Sequence, residues 1–251
     1  MKLSVIVPAY KEAARVRTTA ERLVAALSAK FAEGEYEIVF VNDGSPDDTE
    51  EKLREIEGGA VRCTGYPDNR GKGAAVRFGM LAATGDLRIF TDCDLAYGTD
   101  AVLALYDRLL SDKADVEIAS RALHEDGYKD YSFLRRVLSR GYYILLRMIT
   151  GLKVSDSQSG LKGFTADAAR RIFPLCTVDR FAFDLEVLMI ARKAGCRICE
   201  MPAAVIDNAP TKIKLSDPFR MFCDLFRIRR RVRKLQVEKM PTADSATPSH
   251  N

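Results

Sequence analysis

The sequence predicts an α/β fold: a mostly parallel sheet flanked by helices, followed by a basic amphipathic helix near the C-terminal end. Three observations carry this. Short apolar, β-branched runs alternate with helically spaced stretches through residues 1–119. The connections between them are short, as a sheet built from crossovers requires. Residues 212–239 hold ten Lys/Arg against three Asp/Glu, a local excess of +7, so the rest of the chain sums to −3 within an overall +4.

Leu3–Val7 is a continuous apolar run, the pattern of a strand buried on both faces. Residues 12–30 carry Val16, Leu23 and Leu27 at helical spacing. Tyr36–Val41 is the second strand, and Asp47–Ile56 is a helix behind a Ser-Pro-Asp-Asp start signal. Val61–Gly65 is a third strand, Gly71–Ala83 a helix, Leu87–Thr91 a fourth strand, Thr99–Leu110 a helix and Val116–Ala119 a fifth strand. In the second half, residues 131–150 form an amphipathic helix with Leu134, Leu138, Leu145 and Met148 on one stripe. Leu161–Phe164 and Arg197–Glu200 read as short strands, and Phe183–Ala194 as a helix. Ser216-Asp-Pro218 starts a last helix running to about Val237, with Pro218 suited to its first position. The expected division is an α/β domain over 1–210, a basic helical extension over 211–239 and a disordered tail over 240–251.

With 47% hydrophobic and 29% charged residues, the composition excludes wholesale disorder and fibrous repeats. No stretch reaches the ~18 apolar residues of a membrane span, and no signal peptide precedes Leu3, so an intracellular protein is expected. Six cysteines and two histidines do not make a disulfide framework or a four-ligand zinc site. Cys196-Arg-Ile-Cys199 has its thiols on opposite faces of a strand and reads as plain buried cysteines.

Ligands of open α/β sheets bind beyond the carboxyl ends of the strands. There lie Pro8-Ala-Tyr-Lys-Glu12, Asn42-Asp-Gly-Ser-Pro-Asp-Asp-Thr49 and Asp92-Cys-Asp94. Carboxylates at i and i+2 past a strand can converge on one hard divalent cation shared with substrate phosphates. Asp43 either accepts from a nucleobase imide N–H or caps the helix that begins near Asp47. Asn69-Arg-Gly-Lys-Gly73 opens a helix whose first N–H groups, with Lys72, attract anions.

Taken together, Val5-Ile-Val-Pro-Ala-Tyr-Lys-Glu12, Val41-Asn-Asp-Gly-Ser-Pro-Asp-Asp-Thr49, Asn69-Arg-Gly-Lys-Gly73 and Thr91-Asp-Cys-Asp94 resemble family 2 inverting glycosyltransferases of the GT-A fold. Ser120-Arg121, Asp156-Ser-Gln-Ser-Gly-Leu-Lys-Gly-Phe164, Phe183-Asp-Leu-Glu186 and Glu200-Met-Pro202 resemble, within that family, the dolichyl/polyprenyl-phosphate glycosyltransferases. The dolichyl-phosphate β-glucosyltransferases are nearest in pattern, with dolichyl-phosphate mannose synthase further away. The resemblance implies a GT-A catalytic domain and transfer of a hexose, glucose by pattern, from UDP-glucose to a polyprenyl phosphate with inversion.

By the same resemblance, Pro8, Tyr10, Glu12 and Asp43 line the nucleoside pocket, and Gly71, Lys72 and Gly73 lie near the base, ribose and diphosphate. Asp92 and Asp94 hold Mg²⁺ or Mn²⁺ on the diphosphate, with Cys93 between them in the donor site. Arg121, with one or more of Arg135, Arg136 and Arg140, meets the acceptor phosphate or the donor, Lys162 is suited by type to the same task, and the segment Gln158-Ser159-Gly-Leu-Lys162 borders the sugar. Three departures from the family pattern stand out: Lys11 replaces the usual Asn, Asn42 the usual Asp, and Ala96 a common Gln.

An ionised phosphate acceptor needs no general base. A hydroxyl acceptor does, and Asp184 or Asp156 is then the natural candidate, with a helix cap or structural hydrogen bond as the alternative for each. Glu186 is expected to support the fold. In the last helix, Met221, Leu225, Ile228, Val232 and Leu235 form an apolar stripe flanked by arginines, suited to lie in an anionic lipid interface or to pack on the domain. The expected location is thus peripheral, on the cytoplasmic face of a membrane. No nucleic-acid reader motif accompanies the basic run, and an oligomer is left open.

Overall fold

The structure is a computed structural model that describes residues 1–125, 146–180, 182–206 and 217–240, with side chains of the last segment from Leu225 onward. Seven strands form one sheet: β1 (Leu3–Ala9), β2 (Tyr36–Asp43), β3 (Val61–Tyr66), β4 (Leu87–Thr91), β5 (Val116–Ser120), β6 (Leu161–Thr165) and β7 (Ile198–Pro202), in the order β3-β2-β1-β4-β6-β5-β7. All neighbouring pairs are parallel except those of β6, which runs antiparallel to both β4 and β5.

Helices α1 (Val16–Ser28), α2 (Thr49–Ile56), α3 (Lys72–Ala82), α4 (Gly98–Ser111), α5 (Ala166–Ile172), α6 (Phe183–Ala194) and α7 (Asp217–Lys234) cover the sheet. One face of the sheet carries Leu3, Val5, Val7, Ile38 and Phe40 against α1 and α4. The other carries Ile6, Val39, Val41, Phe90 and Ile118 against α3, α6 and α7. Both faces of β1 and β2 are buried, which is why their sequences are continuous apolar runs rather than alternating ones. Small residues let α3 approach closely: a Cβ on Gly79 would run into the Ile6 side chain. Gly195, in the left-handed region at φ +80°, ends α6 and donates its N–H to the Ala191 and Arg192 carbonyls.

Every strand of the sequence reading is present, with bounds within two residues. Helix α5 was not anticipated, although Thr165 caps it by accepting from the Ala168 N–H at 3.2 Å. The orientation of β6 was also unforeseen, because five residues of strand pattern carry no direction.

The last helix decides between the two readings of its stripe. Leu225, Ile228 and Val232 are buried in the same apolar cluster as α6, so this part of the stripe packs on the domain instead of facing lipid. Of the 131–150 helix, only 146–150 lies within the described residues. There Leu146 is buried and Met148 is 70% exposed. Cys196 and Cys199 pack on opposite faces of the sheet as expected. Both are only partly buried, because β7 is the edge strand.

Candidate active site

Topology brings the chemistry together. β1, β2, β3, β4 and β5 point the same way, so the loops after them open on one edge of the sheet. β6 runs the other way, so the segment that enters it, 156–160, reaches that same edge. Neighbouring strands lie ~4.8 Å apart.

The loops after β1 and β2 are laced to each other. The Lys11 N–H donates to Ser45 Oγ at 3.2 Å and the Glu12 N–H to Thr49 Oγ1 at 2.9 Å, while Ser45 N–H donates to Asn42 Oδ1 at 3.1 Å. Lys11, at φ +59°, makes the turn. Tyr10 stands exposed on the rim with Pro8 half-buried beneath it, and Glu12 pairs with Arg15 at 2.9 Å.

Asp43 acts as a cap, though of another turn than the sequence suggested. It is buried, and its carboxylate accepts from Tyr66 Oη (2.8 Å), Asn69 Nδ2 (2.8 Å), the Arg70 N–H (2.9 Å) and the Gly71 N–H (2.9 Å). These bonds consume the carboxylate and hold the 69–71 turn against the end of β2. Asp43 caps this turn rather than the helix after Asp47; there Asp47 itself accepts from Thr49 Oγ1 at 2.6 Å. Gly71 and Gly73 are glycines because Val178, Asp179, Arg180 and Phe183 pack onto them. A Cβ on Gly71 would lie 2.5 Å from the Asp179 carbonyl oxygen, and one on Gly73 2.6 Å from that of Val178.

Asp92 and Asp94 leave β4 on the rim, while Cys93 between them is buried, its carbonyl accepting from Thr19 Oγ1 at 2.5 Å. The Cys93 side chain therefore belongs to the core and not to the donor site, and burial pushes its thiol up to about 12. Asp94 accepts from the Ala96 N–H at 3.1 Å; burial and then the like charge of Asp92 hold its carboxyl above the ordinary range. Lys72, at the start of α3, ion-pairs with Asp92. Burial works against the Lys72 charge, but Asp92, Asp184 and Asp94 outweigh it, so the ammonium is held above its ordinary value. Gly160 presses against the same group: a Cβ there would run into the Asp92 carboxylate. Sequence reading set Gly160 within the segment bordering the sugar but gave no contact with Asp92, since only the antiparallel entry of β6 brings the two together.

Several expected contacts are turned inward. Lys162 is fully buried: its ammonium donates to Asp184 Oδ1 and to the Ser159 carbonyl, both at 2.5 Å, over the Phe90 ring. Asp184, tied to Lys162 and nearly inaccessible, is held above its ordinary value by burial, against the pull of Lys162 and Lys72. Ser159 is buried and donates to Tyr97 Oη at 3.1 Å, whereas Gln158 is exposed.

Asp156, inaccessible, receives Arg121 in a fork, Nε to Oδ2 at 2.7 Å and Nη2 to Oδ1 at 2.9 Å. Both Asp184 and Asp156 are thus buried and ion-paired. Arg121 itself is partly exposed and held in one orientation at the rim. Arg135, Arg136 and Arg140 lie outside the described residues.

An acidic pair past a central strand, facing a lysine at a helix start beside the laced loops after β1 and β2, is the arrangement of a GT-A-type sugar-transferring class of protein. The Glycosyl transferase family 2 model matches residues 4–173, and the chain belongs to that family. It is 34% identical over 89% of its length to a dolichyl-phosphate beta-glucosyltransferase of Trichomonas vaginalis, covering 69% of that protein. It is 32% identical over 90% of its length to the dolichyl-phosphate beta-glucosyltransferase of Dictyostelium discoideum, covering 73% of it. Among solved structures, glucosyl-3-phosphoglycerate synthase of Mycobacterium tuberculosis with Mn²⁺, UDP-glucose and phosphoglyceric acid has the same fold. Its TM-score is 0.66 at 18% identity, over 94% of this chain and 81% of that one.

Proposed function

We propose that this glycosyltransferase moves glucose from UDP-glucose to a polyprenyl or dolichyl phosphate, with inversion at the anomeric carbon. The observation that carries the reading is the burial and ion-pairing of both candidate bases, Asp156 with Arg121 and Asp184 with Lys162. A hydroxyl nucleophile needs a base to take its proton; a phosphate oxygen, already ionised near neutral pH, does not. The names of the relatives at 34% and 32% identity point to the same acceptor and sugar.

In this reading an acceptor phosphate oxygen attacks the anomeric carbon from the face opposite the diphosphate, and the bond from that carbon to the diphosphate oxygen breaks. Arg121, preset by Asp156, receives an acceptor phosphate bidentately and offsets its repulsion from the donor. Lys72 faces the departing diphosphate beside Asp92. The donor set at the rim suits a hard cation: two carboxylates, Asp94 raised by burial and then by the charge of Asp92, while the Cys93 thiol between them is buried in the core. Asp92 and Asp94 would hold Mg²⁺ or Mn²⁺, which supplies charge neutralisation on the diphosphate. The solved neighbour with Mn²⁺ and UDP-glucose supports this choice.

Contact with a lipid acceptor requires a membrane surface. Among the described residues no helix is long and apolar enough to cross a membrane. The exposed side of α7 instead carries Arg227, Arg230, Arg233 and Lys234 with Phe226, a face suited to an anionic leaflet. The test offers radiolabelled UDP-glucose or GDP-mannose with either polyprenyl phosphate or an oligosaccharide. Label is expected in the lipid from UDP-glucose with Mg²⁺ or Mn²⁺, and lost in Asp92→Asn and Asp94→Asn. Transfer to the oligosaccharide alone, or full metal-dependent activity in both variants, would overturn the proposal.

A further inference from the structure

A second cluster lies at the opposite edge of the sheet. Glu117 and Cys199 are register partners near the starts of β5 and β7, and Asp112 closes the C-terminal end of α4. One carboxylate oxygen from each acid and the Cys199 sulfur all lie within 4.8 Å of one another. Glu117 and Cys199 point to the same face of the sheet, since Ala119 and Met201, two residues on in each strand, belong to the same apolar cluster.

Glu117 is what sets this cluster apart from ordinary surface acids. It is wholly inaccessible to solvent, and neither of its carboxylate oxygens has a hydrogen-bond partner. A buried carboxylate without partners costs several kcal/mol unless its charge is compensated. The neighbouring cations supply this only in part, and neither makes a hydrogen bond to it. Arg108 is engaged with Asp112 at 3.1 Å, and Arg197 acts on Glu117 only from a distance, as Glu200 does with the opposite sign. The two other members, Asp112 and Cys199, are only partly buried, so a small ion can reach the cluster from solvent.

We propose that Asp112, Glu117 and Cys199 form a binding site for a thiophilic divalent cation, zinc in kind, separate from the donor rim. Two carboxylates and one thiolate match the ligand types of Zn²⁺, with a water completing a tetrahedron at about 2.0–2.3 Å per ligand. The thiolate separates this site from Asp92/Asp94, whose all-oxygen set suits Mg²⁺ or Mn²⁺. The cation would neutralise Glu117, free Arg108 to solvent and pin the end of α4 to the edge strand β7 and its neighbour β5. It holds the outer part of the sheet and takes no part in sugar transfer.

The probe is Cd²⁺ added to the chelator-treated full chain, read by the ultraviolet thiolate-to-metal charge-transfer band. The expected result is a saturable band at one equivalent, displaced by Zn²⁺. It should vanish in Cys199→Ser, weaken at least tenfold in affinity in Glu117→Gln, and persist in Asp92→Asn. A band unchanged in Cys199→Ser would overturn the site. So would a Glu117→Gln titration that superimposes on the wild type, which would mark an ordinary surface thiol. If Cys199→Ser does not fold, Glu117→Gln and Asp112→Asn decide by the same criterion. As an independent readout, Zn²⁺ should raise the thermal midpoint of the wild type but not that of Glu117→Gln.

Discussion

Arg231 of the last helix ion-pairs with Glu186 of α6, a carboxylate with no solvent exposure at all. Glu186 also accepts from the Thr177 and Val178 N–H groups at 2.7 and 2.8 Å, and Arg231 donates to the Leu175 carbonyl at 2.6 Å. The chain next packs on Gly71 and Gly73, whose turn is held by Asp43. The C-terminal helix and the donor loop are thus linked through one short segment. Removing Arg231 leaves Glu186 buried without its cation. Arg231→Ala should cost about 2 kcal/mol, below the ~3–5 of a fully buried pair because Arg231 keeps some solvent contact. Urea unfolding at neutral pH measures it. A loss under about 0.5 kcal/mol would show that the backbone donors alone suffice.

Asp43→Asn tests the turn. An amide presents N–H where Arg70 and Gly71 also present N–H, so at least one bond is lost and a donor faces a donor. A stability loss of about 1–3 kcal/mol is expected. UDP affinity should fall at least tenfold by calorimetry, with turnover at saturating donor less affected. A pure turnover defect would contradict the role.

Gly160→Ala places a methyl against the Asp92 carboxylate. The carboxylate is the movable partner, so Asp92 should rotate away from the rim while the sheet stays intact. Transfer activity should fall at least tenfold at low Mn²⁺ and recover partly at high Mn²⁺, with an unchanged circular dichroism spectrum. Wild-type metal dependence in this variant would show that the loop yields instead.

The charge on Glu117 makes stability depend on pH. Burial, then Asp112, pushes its carboxyl up from 4.5 to about 7. Between those values the folded state binds a proton that the unfolded chain has released, so the metal-free protein loses stability as pH rises through this window. The loss is about 3 kcal/mol across the window. Glu117→Gln should flatten that part of the curve, measured by chemical denaturation in chelator from pH 4.5 to 8. Parallel curves for the two proteins would refute the assignment.

Reversing Arg227, Arg230 and Lys234 to Glu tests the lipid-facing proposal on the exposed side of α7. With ~1 kcal/mol per cation near an anionic surface, at least a hundredfold weaker partition to phosphatidylserine vesicles is expected. The fold should be unaffected, because Leu225, Ile228 and Val232 are untouched. Equal cosedimentation of both proteins would remove this face from the proposal.

The strands and most helices were legible in the sequence because their signals are local: apolar runs for β1 and β2, helical spacing in α1, a glycine after α6. The rim was legible because strand ends of a parallel sheet converge whatever their order. What escaped was direction and burial. Lys162, Asp184, Ser159 and Cys93 have the residue types of a site, yet each side chain faces the protein, and no one-dimensional pattern distinguishes the two. For Cys93 a signal existed, since alternation past a strand puts i and i+2 on one side and i+1 on the other. For Lys162 none did, because its burial depends on β6 lying antiparallel between β4 and β5. Asp112, Glu117 and Cys199 were invisible for the same reason: only the β5–β7 pairing brings them together.

Because α7 completes the hydrophobic interior with Leu225, Ile228 and Val232 and carries the counter-ion of Glu186, deletion mapping is closed as a route to testing the proposed membrane contact. A truncated enzyme that fails to sediment with vesicles would have lost its scaffold along with its arginines. The proposed attachment and the integrity of the fold share one helix and can be separated only by altering its outer charges while leaving its inner face alone.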